Sequence, residues 1–415
     1  MLNVLKMAVR NLARFRRRTF LTATLVTLGI VAVLLFIATA GSFKTMMVGQ
    51  FTDAVLGHLE VHRKGYVASI DNLPLNLNLR PAMVQRVEQV LGKLETVEAY
   101  SERVKLGAMF SNFTETTSIR VNGVDPDKEI ATTPLLPERM IEGGKEGALL
   151  KQGEILIPTL LARGMKVTVG DTIVLVATNR EGSVNGKTFV VRGVLSSISG
   201  PSGRDGYIHV DDARQLLRMQ EPEIAEIAIR LKDPAQLDRV YAQLGAELSG
   251  VTGKEGMPVL EVHTWADLSP FASIVRMIDL LAVFIKVMLV SIVLVSVMNV
   301  MMMAVYERIR EIGTISAIGS PPRRILSLFL TEGLLLGAGG AALGTAISLA
   351  IVYALNVWKV HFSFGQQQDL VLSPAVSAAD VLTVVAMVVV MALLASLQPA
   401  WKASRMDPVT ALGHV

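Results

Sequence analysis

Long apolar runs dominate the pattern of hydrophobic and polar positions along this chain. They cover residues 19–42, 281–305, 325–357 and 377–398, and each is long enough to cross a bilayer as a helix. Between the first two runs, residues 43–268 mix strand-like and helix-like patterns with polar turns. The pattern therefore predicts an α-helical membrane protein with four transmembrane helices and one large α+β domain outside the membrane.

The chain begins with a basic segment, residues 1–18, which contains no acidic residue. Apolar side chains recur in it at helical spacing: Leu2, Leu5, Val9, Leu12 and Phe15. This spacing predicts a basic amphipathic helix on the membrane surface, with a disordered basic tail as the alternative. The apolar run at 19–42 is too long for a cleaved signal peptide, so we expect an uncleaved first transmembrane helix.

Basic residues also set the predicted orientation. The loop at 306–324 and the tail at 399–415 carry a surplus of arginine and lysine, whereas the loop at 358–376 contains one lysine and no arginine. By the positive-inside rule, both termini and the first of these loops lie in the cytoplasm, and residues 43–268 lie in the periplasm. We therefore expect a multi-pass protein of a bacterial inner membrane.

Composition agrees with a membrane protein and excludes some chemistry. Hydrophobic residues make up 51% of the chain and charged residues 18%, against about 25% charged in soluble domains. The sequence contains no cysteine, which excludes disulfides, thiolate metal sites and cysteine nucleophiles. The net charge of +4 is small, and no nucleic-acid partner is expected.

The second transmembrane helix is longer than a bilayer requires. A helix that begins at Ser269–Pro270, an N-cap and first-turn proline pair, and ends at Val305 contains about 36 residues, or roughly 50 Å. The hydrocarbon core of a bilayer is only about 30 Å thick. We therefore expect the first part of this helix to project as a stalk, with Arg276, Ile278 and Asp279 on it.

An internal repeat divides the large domain. PAMVQRVEQVLG (81–92) and PAQLDRVYAQLG (234–245) match at six of twelve positions, and each follows a strand-like segment, 58–63 or 226–231. Two β-α-β units predict one split α+β subdomain, interrupted by a β-rich insert at about 145–221. The alternative is that two unrelated helices begin with proline by chance.

No segment fits a catalytic or metal-binding motif. GSVNGKT (182–188) is one residue short of a phosphate-binding loop and joins two strand-like segments, so we interpret it as a hairpin tip. His58 and His62 fall in a strand pattern, so we expect surface histidines rather than zinc ligands. A polar loop at 200–207 and a short capped helix at 211–219 follow. We therefore predict no catalytic residue, metal site or cofactor in this chain.

A short charged segment, residues 306–324, separates the second and third apolar runs. One of its faces is an apolar stripe of Val305, Ile309, Ile312, Ile315 and Ile318. The charged residues around this stripe are expected to pair within one helix, as Glu307–Arg310 and Arg308–Glu311. The segment is predicted either to lie on the membrane surface or to dock a cytoplasmic protein.

Three motifs resemble one known family. The charged segment YERIREIGTISAIGSPPRRI (306–325), the C-terminal PAWKASRMDPVTAL (399–412) and the N-terminal RRRTFLT (16–22) resemble parts of the MacB/FtsX/LolC-type ABC transporter permeases. The predicted order of one span, a large external domain and three further spans also matches. The architecture is most similar to the stand-alone LolC and LolE permeases.

The resemblance implies partners and a site. It implies a pair of identical or homologous permeases in the lipid bilayer, bound to a cytoplasmic dimer of ABC ATPase subunits that binds ATP and magnesium. The periplasmic domain would consist of porter-like halves at about 55–140 and 222–268 around the insert, and a periplasmic adaptor or chaperone is a further implied partner. The charged segment would be the coupling helix that contacts the ATPase, with Glu307, Arg308, Arg310, Glu311, Gly313, Ala317 and Gly319.

The third apolar run contains an acidic residue, Glu332. A carboxylate inside a membrane is usually functional or paired, although hydration near the cytoplasmic interface is the alternative. Glycines at small-residue spacing follow it: Gly333, Gly337, Gly340 and Gly344. They predict close helix packing, which we expect at a contact between two permease chains.

The expected function is mechanotransmission by a permease subunit without an ATPase site of its own. ATP hydrolysis by the partner would move the periplasmic domain, which exports or extracts a lipophilic cargo, a lipoprotein or an amphiphile. One alternative is the permease of a MacB-like tripartite efflux pump. The other is an FtsX-like signalling protein that regulates a periplasmic cell-wall hydrolase.

Overall fold

The computed structural model describes residues 2–144, 147–197, 205–252, 257–364 and 367–407. The chain forms two compact units, each with its own hydrophobic core. The helical unit comprises Met1–Lys44, Val275–Phe362 and Val371–Val415, and the β-rich domain comprises Thr45–Ile274 with Ser363–Leu370.

Long helices flank a stretch in which helices and strands are mixed. The helices are α1 Leu2–Arg14, α2 Arg16–Phe51, α3 Pro81–Leu91, α4 Pro126–Thr132, α5 Thr159–Met165, α6 Val210–Leu216, α7 Leu237–Leu248, α8 Trp265–Leu268, α9 Ala272–Glu307, α10 Ile309–Ala317, α11 Pro322–Trp358 and α12 Ala378–Ser404. The strands are β1 Leu59–Arg63, β2 Val97–Ser111, β3 Thr116–Val124, β4 Met140–Gly143, β5 Glu154–Pro158, β6 Thr172–Thr178, β7 Val184–Leu195, β8 Gly206–His209, β9 Glu226–Leu231, β10 Leu260–Thr264, β11 His361–Phe364 and β12 Gln367–Val371.

Four helices in the described part of the chain, α2, α9, α11 and α12, are long and apolar enough to cross a membrane. With the β-rich domain they confirm the predicted fold class. The helix α1 lies in the segment for which an amphipathic helix was expected. The helix α9 begins at Ala272, two residues after the expected proline, because the short helix α8 and its exit turn precede it.

Two helices extend beyond their expected ends. The helix α2 continues to Phe51 rather than ending at residue 42. Beyond residue 42 it is held against α9, since the Lys44 ammonium donates to the Asp279 carboxylate at 2.7 Å. The helix α12 continues through Pro399 to its end at Ser404 rather than stopping at residue 398. Pro399 is buried in the bundle, where packing against other helices compensates for the hydrogen bond that proline removes.

The glycines of α11 pack inside this chain. A Cβ at Gly337 would lie 2.5 Å from the Ala392 side chain of α12, and a Cβ at Gly333 would overlap the Ser396 hydroxyl of α12. Gly340 and Gly344 instead face Val26 and Ile30 of α2, at 2.7 and 2.9 Å. The expected use of these glycines at a contact between two permease chains is therefore wrong, because their missing side chains make room for helices of the same chain.

The β-rich domain contains the predicted repeat. The neighbouring strands β10, β1, β9 and β2 pair antiparallel in that order. The helix α3 connects β1 to β2, and α7 connects β9 to β10, so each half is a β-α-β unit. Apolar side chains of both helices lie in one core with these strands: Val84, Val87, Leu91, Val240 and Leu244. The split α+β subdomain is thereby confirmed.

The insert supplies further strands of the same sheet. The strands β6 and β7 form an antiparallel hairpin with Thr178 opposite Val184, so the glycine-rich segment at 182–188 connects two strands and then enters β7. The helix α6 begins at Val210 with the His209 side chain as its N-cap. Most of the polar loop expected at 200–207 lies outside the described residues.

The loop between α11 and α12 contains a small sheet that the sequence reading missed. The strands β11 and β12 form this two-stranded sheet. They occupy His361–Phe364 and Gln367–Val371. The loop was predicted only as a periplasmic connection at 358–376.

Candidate functional site

The helices α9 and α10 are separated by a break at Arg308. This residue has φ −114° and ψ 18°, outside helical values, between the end of α9 at Glu307 and the start of α10 at Ile309. At the far end of α10, Gly319 has φ +91°, a left-handed conformation that glycine adopts readily. Pro322 then begins α11, at a position where its missing N–H is not needed. The short helix is therefore bounded by a break and by a glycine–proline turn.

The Arg308 side chain turns inward at this break. Its guanidinium donates to Glu332 Oε1 of α11 at 2.8 Å, and the Asn11 amide of α1 donates to the same oxygen at 2.7 Å. Arg308 is 4% exposed and Glu332 is 1% exposed. We call these three residues the Glu332 junction. A buried carboxylate is tolerated only when it is paired, so the junction settles that Glu332 is a paired residue rather than a hydrated one.

The acidic residues that flank the break pair with the N-terminal segment. Arg14 lies 2.9 Å from Glu311, and Arg18 lies 2.6 Å from Glu307. The first pair is exposed, whereas the second is more enclosed. The arginines are four residues apart and the glutamates are four residues apart. About one helical turn on each side therefore matches the other, and the end of α1 and the start of α2 are tied to the end of α9 and the start of α10.

These contacts correct the pairing expected within the charged segment. Arg308 pairs with Glu332 and Glu311 pairs with Arg14 rather than with each other, and Glu307 pairs with Arg18. The helix is broken at Arg308, so residues before and after the break no longer share the regular three-residue spacing. The carboxylates instead face basic residues that lie nearly three hundred positions earlier in the sequence.

The apolar stripe of the segment is shorter than expected. Val305 and Ile312 are buried, and Ile309 and Ile315 are half-buried. Ile318 is 81% exposed, because it follows the last residue of α10 and leaves the packed face. The stripe therefore anchors the helix to the bundle.

Other residues of the expected coupling set lie around the helix. Gly313 is buried, whereas Arg310, Ala317 and Gly319 are exposed, as is Thr314. With Ile318 they form the exposed outer face of the segment.

The part played by the N-terminal segment was missed by the sequence reading. One signal was present in the sequence: Arg14 and Arg18 repeat the four-residue spacing of Glu307 and Glu311 with opposite charge. A second was Asn11, a polar residue within the apolar face of the N-terminal helix. Such a residue often has a buried partner, which here is Glu332.

The expected stalk consists of two helices rather than one. Asp279 of α9 pairs with Lys44 of α2, while Arg276 is exposed and Ile278 is half-buried. Within the β-rich domain, the rings of Phe51 and Phe271 stack with their centroids 4.8 Å apart. The chain segments that enter and leave this domain are therefore held side by side there.

A buried charged cluster lies on the sheet of the β-rich domain, on the side away from α3 and α7. It contains Glu60 and His62 of β1, Arg103 and Lys105 of β2, Glu129 of α4 and Glu226 of β9. The Lys105 ammonium lies 2.8 Å from Glu226, and the His62 ring lies 3.2 Å from the same carboxylate oxygen. The expectation of surface histidines is therefore wrong: His62 is enclosed, with Tyr66 stacked on its ring, and His58 is buried beside β9.

Ionisation in this cluster follows from burial and neighbouring charge. Burial raises the pKa of Glu60, and the adjacent Glu226 raises it further. Burial opposes ionisation of Glu226 as well, yet the contact with Lys105 lowers the pKa of that carboxyl group below its ordinary value. Burial lowers the pKa of His62. One carboxylate is therefore ionised and paired, and the other tends to hold a proton.

Distance alone would allow this cluster to hold a cation. Ligand atoms of Glu60, His62 and Glu226 lie within 4.8 Å of one another. Arg103 and Lys105 already contact the same carboxylates, however, and their positive charges oppose a metal ion. The arrangement is that of a charge-compensated network between strands.

Four membrane-spanning helices, a split β-rich domain and a short charged helix between two spans define a transporter-type permease. Two sequence families match the chain. The MacB-like periplasmic core domain matches residues 19–247, and the FtsX-like permease C-terminal family matches residues 283–408. The chain belongs to the MacB/FtsX/LolC-type ABC permeases.

Individual relatives are of two kinds. The pyoverdine export ATP-binding/permease protein PvdT of Pseudomonas fluorescens is 32% identical over 237 residues, which are 54% of this chain and 33% of that protein. The chain thus spans about a third of the length of that relative. The lipoprotein-releasing system transmembrane protein LolC of Neisseria meningitidis serogroup B is 22% identical over 406 residues, which are 94% of this chain and 92% of that protein.

Among solved structures, the periplasmic region of MacB from Actinobacillus actinomycetemcomitans resembles part of this chain. It has a TM-score of 0.35 and 10% sequence identity. The match covers 53% of this chain and 92% of that one.

Proposed function

We propose that this chain is the permease subunit of an ABC transporter in which separate ATPase subunits, which bind ATP and magnesium, drive mechanical work on the far side of the membrane. The observation that carries this proposal is the Glu332 junction. A helix that is held by a buried ion pair at one end and exposes its outer face can be displaced by a partner and can transmit that displacement to the helices bound to it. A freely sliding surface helix could not do so.

The outer face of α10 is the proposed contact for the ATPase. Glu307 and Glu311 are engaged by Arg18 and Arg14, so the contact falls to the exposed side that includes Thr314 and Ile318. Displacement of α10 is passed through the break to α9 and through the Glu332 junction to α11. In this proposal both chain termini lie in the cytoplasm, and a second permease copy or homologue completes the transporter.

The cargo is proposed to be lipophilic, a lipoprotein or an amphiphile taken from the outer leaflet or periplasm. The match to LolC along nearly the whole of both chains supports lipoprotein extraction. The higher identity to PvdT over a shorter stretch supports a second candidate, export of a small molecule as part of an efflux pump.

Ile318 offers a direct test of ATPase docking. Because Ile318 is 81% exposed, Ile318→Asp should leave folding unchanged but desolvate a charge at the interface. We expect this variant to lose the ABC ATPase subunit that co-purifies with the wild-type chain. Val184→Asp is the matched control, since Val184 is 63% exposed on the β-rich domain. Equal retention of the ATPase by both variants, or no ATPase with the wild type, contradicts the proposal.

A further inference from the structure

A cavity of about 370 Å³ lies within the helical unit, between α1, α10 and the first turns of α11. Its size falls in the range of small-molecule sites. The walls are mainly apolar and come from all three helices: Met7, Ile312, Ile315, Leu328 and Phe329. Asn11 and Arg308 of the Glu332 junction line it as well.

Among the described residues, some of the charged side chains around the cavity are already in salt bridges, and one is not. Arg308 is paired with Glu332, and Glu311 is paired with Arg14, so neither offers a free charge. Arg324 also lines the cavity and is exposed, and no carboxylate of the described residues forms a salt bridge with it. It lies in the first turn of α11, where the helix dipole also favours an anion. One end of an apolar cavity is therefore positive.

The composition of α1 indicates that this cavity lies at the depth of lipid headgroups. Leu5 and Val9 are exposed apolar residues of α1, and Lys6 and Arg10 are exposed basic residues of the same helix. An amphipathic helix with this composition lies in the interface of a membrane, with its apolar side toward the acyl chains and its basic side toward anionic headgroups. Met7 is another exposed apolar residue of α1, and it lines the cavity.

We propose that the cavity binds the phosphate and the adjoining part of one acyl chain of an anionic phospholipid of the cytoplasmic leaflet. The phosphate pairs with Arg324, and the acyl chain lies against Met7, Ile315 and Leu328. An amphiphile with a negative head and an apolar chain matches both ends of the cavity, whereas a soluble anion would leave the apolar walls uncovered. A bound lipid joins α1, α10 and α11 beside the Glu332 junction. The site depends on the proposed membrane orientation and not on ATP-driven transport.

Native mass spectrometry of the full-length chain tests this site. The protein is released from nanodiscs that contain phosphatidylglycerol and phosphatidylcholine, and retained lipid is counted. We expect the wild type to retain one phosphatidylglycerol per chain. Arg324→Gln, which removes the charge at an exposed position, should weaken retention about tenfold, as expected for the loss of one charged hydrogen bond. Leu328→Trp, which fills the cavity, should abolish it.

Arg323→Gln is the matched control, because Arg323 is a neighbouring exposed arginine outside the residues that line the cavity. It should retain the lipid. Equal loss in Arg323→Gln and Arg324→Gln would overturn the proposal in favour of general surface charge. Retention of phosphatidylcholine as firmly as phosphatidylglycerol would also overturn it. Displacement of the lipid when the ATPase subunit is added would assign the cavity to a protein partner and overturn it too.

Discussion

The guanidinium of Arg308 lies 2.8 Å from the carboxylate of Glu332, and both side chains are buried. This contact joins Arg308, which lies between α9 and α10, to a residue of α11 about three turns from the start of that helix. Because Asn11 donates to the same carboxylate, α1, α11 and the break between α9 and α10 all depend on one acidic group. Any movement of α10 must either carry these helices with it or break a buried ion pair.

Removal of one partner from this contact should be costly. Glu332→Ala leaves a buried guanidinium unpaired, and we expect a loss of roughly 3–5 kcal/mol in stability. Glu332→Gln keeps an acceptor for Arg308 and Asn11 and should cost less. The measurement is the thermal midpoint of the purified chain in detergent. Arg308→Met combined with Glu332→Leu should recover much of the loss, because it removes both charges together. A double variant less stable than Glu332→Ala contradicts this account of the junction.

The four spans and the repeat could be predicted because their signals are local. An apolar run of bilayer length and a proline-initiated amphipathic helix are both visible within a few dozen residues. The Glu332 junction could not be predicted in the same way, since Asn11 and Glu332 are 321 positions apart. The helix break at Arg308 also removed the basis for the predicted pairs within the segment.

The buried histidines show a second limit of pattern reading. Alternating charged and apolar residues in β1 are typical of a strand with one wet face. In this domain the charged face is covered: Tyr66 stacks on His62, and Glu129 of α4 pairs with Arg103. The sequence of a strand does not reveal what lies over its second face, so His62 was placed on the surface.

Glu60 should make the β-rich domain less stable as pH rises. Burial and the neighbouring Glu226 raise the pKa of Glu60 from 4.5 to about 8. The folded domain therefore keeps a proton that the unfolded chain has released, so stability is greatest below the unfolded pKa and declines as pH approaches 8. Glu226 has the opposite sign: the stability from its lowered pKa is present above the unfolded value of 4.5 and is lost progressively as pH falls below it.

Hydrogen exchange of the β1 and β9 peptides in the full-length chain measures this effect. Exchange is followed from about pH 5 to about pH 9, a range that includes the folded pKa of Glu60, and is corrected for the intrinsic exchange rate. Glu60→Gln holds a neutral side chain at every pH and should remove the decline. Glu115→Gln, at an exposed position of the same domain, should leave it in place. A decline of equal size in wild type and Glu60→Gln assigns the effect to another group.

Membrane orientation can be tested with single cysteines, since the chain has none of its own. Ser183 lies in the exposed turn of the β6–β7 hairpin, and Ser320 lies between α10 and α11. In right-side-out inner-membrane vesicles, an impermeant thiol reagent should label Ser183→Cys and should label Ser320→Cys only after the vesicles are opened. Equal labelling before opening means that the two positions share one side of the membrane, which contradicts the predicted topology.

The stalk prediction concerns continuity of α9 outside the bilayer. Proline in a helix interior removes a hydrogen bond and clashes with the preceding turn, at a cost of about 3 kcal/mol or more. Ile278→Pro should therefore uncouple ATP hydrolysis from cargo release while the ATPase still binds, because α10 is left intact. Ile278→Ala keeps the helix and removes part of a half-buried side chain, so it should be much milder.

Since Asp279 pairs with Lys44 of α2, a second path for force exists, and Ile278→Pro combined with Lys44→Met should be more severe than either change alone. ATPase rate and cargo release are measured side by side in reconstituted membranes. A carrier whose substrate passes between the spans would tolerate a kink outside the bilayer, so full release by the double variant would remove the mechanical role of both helices.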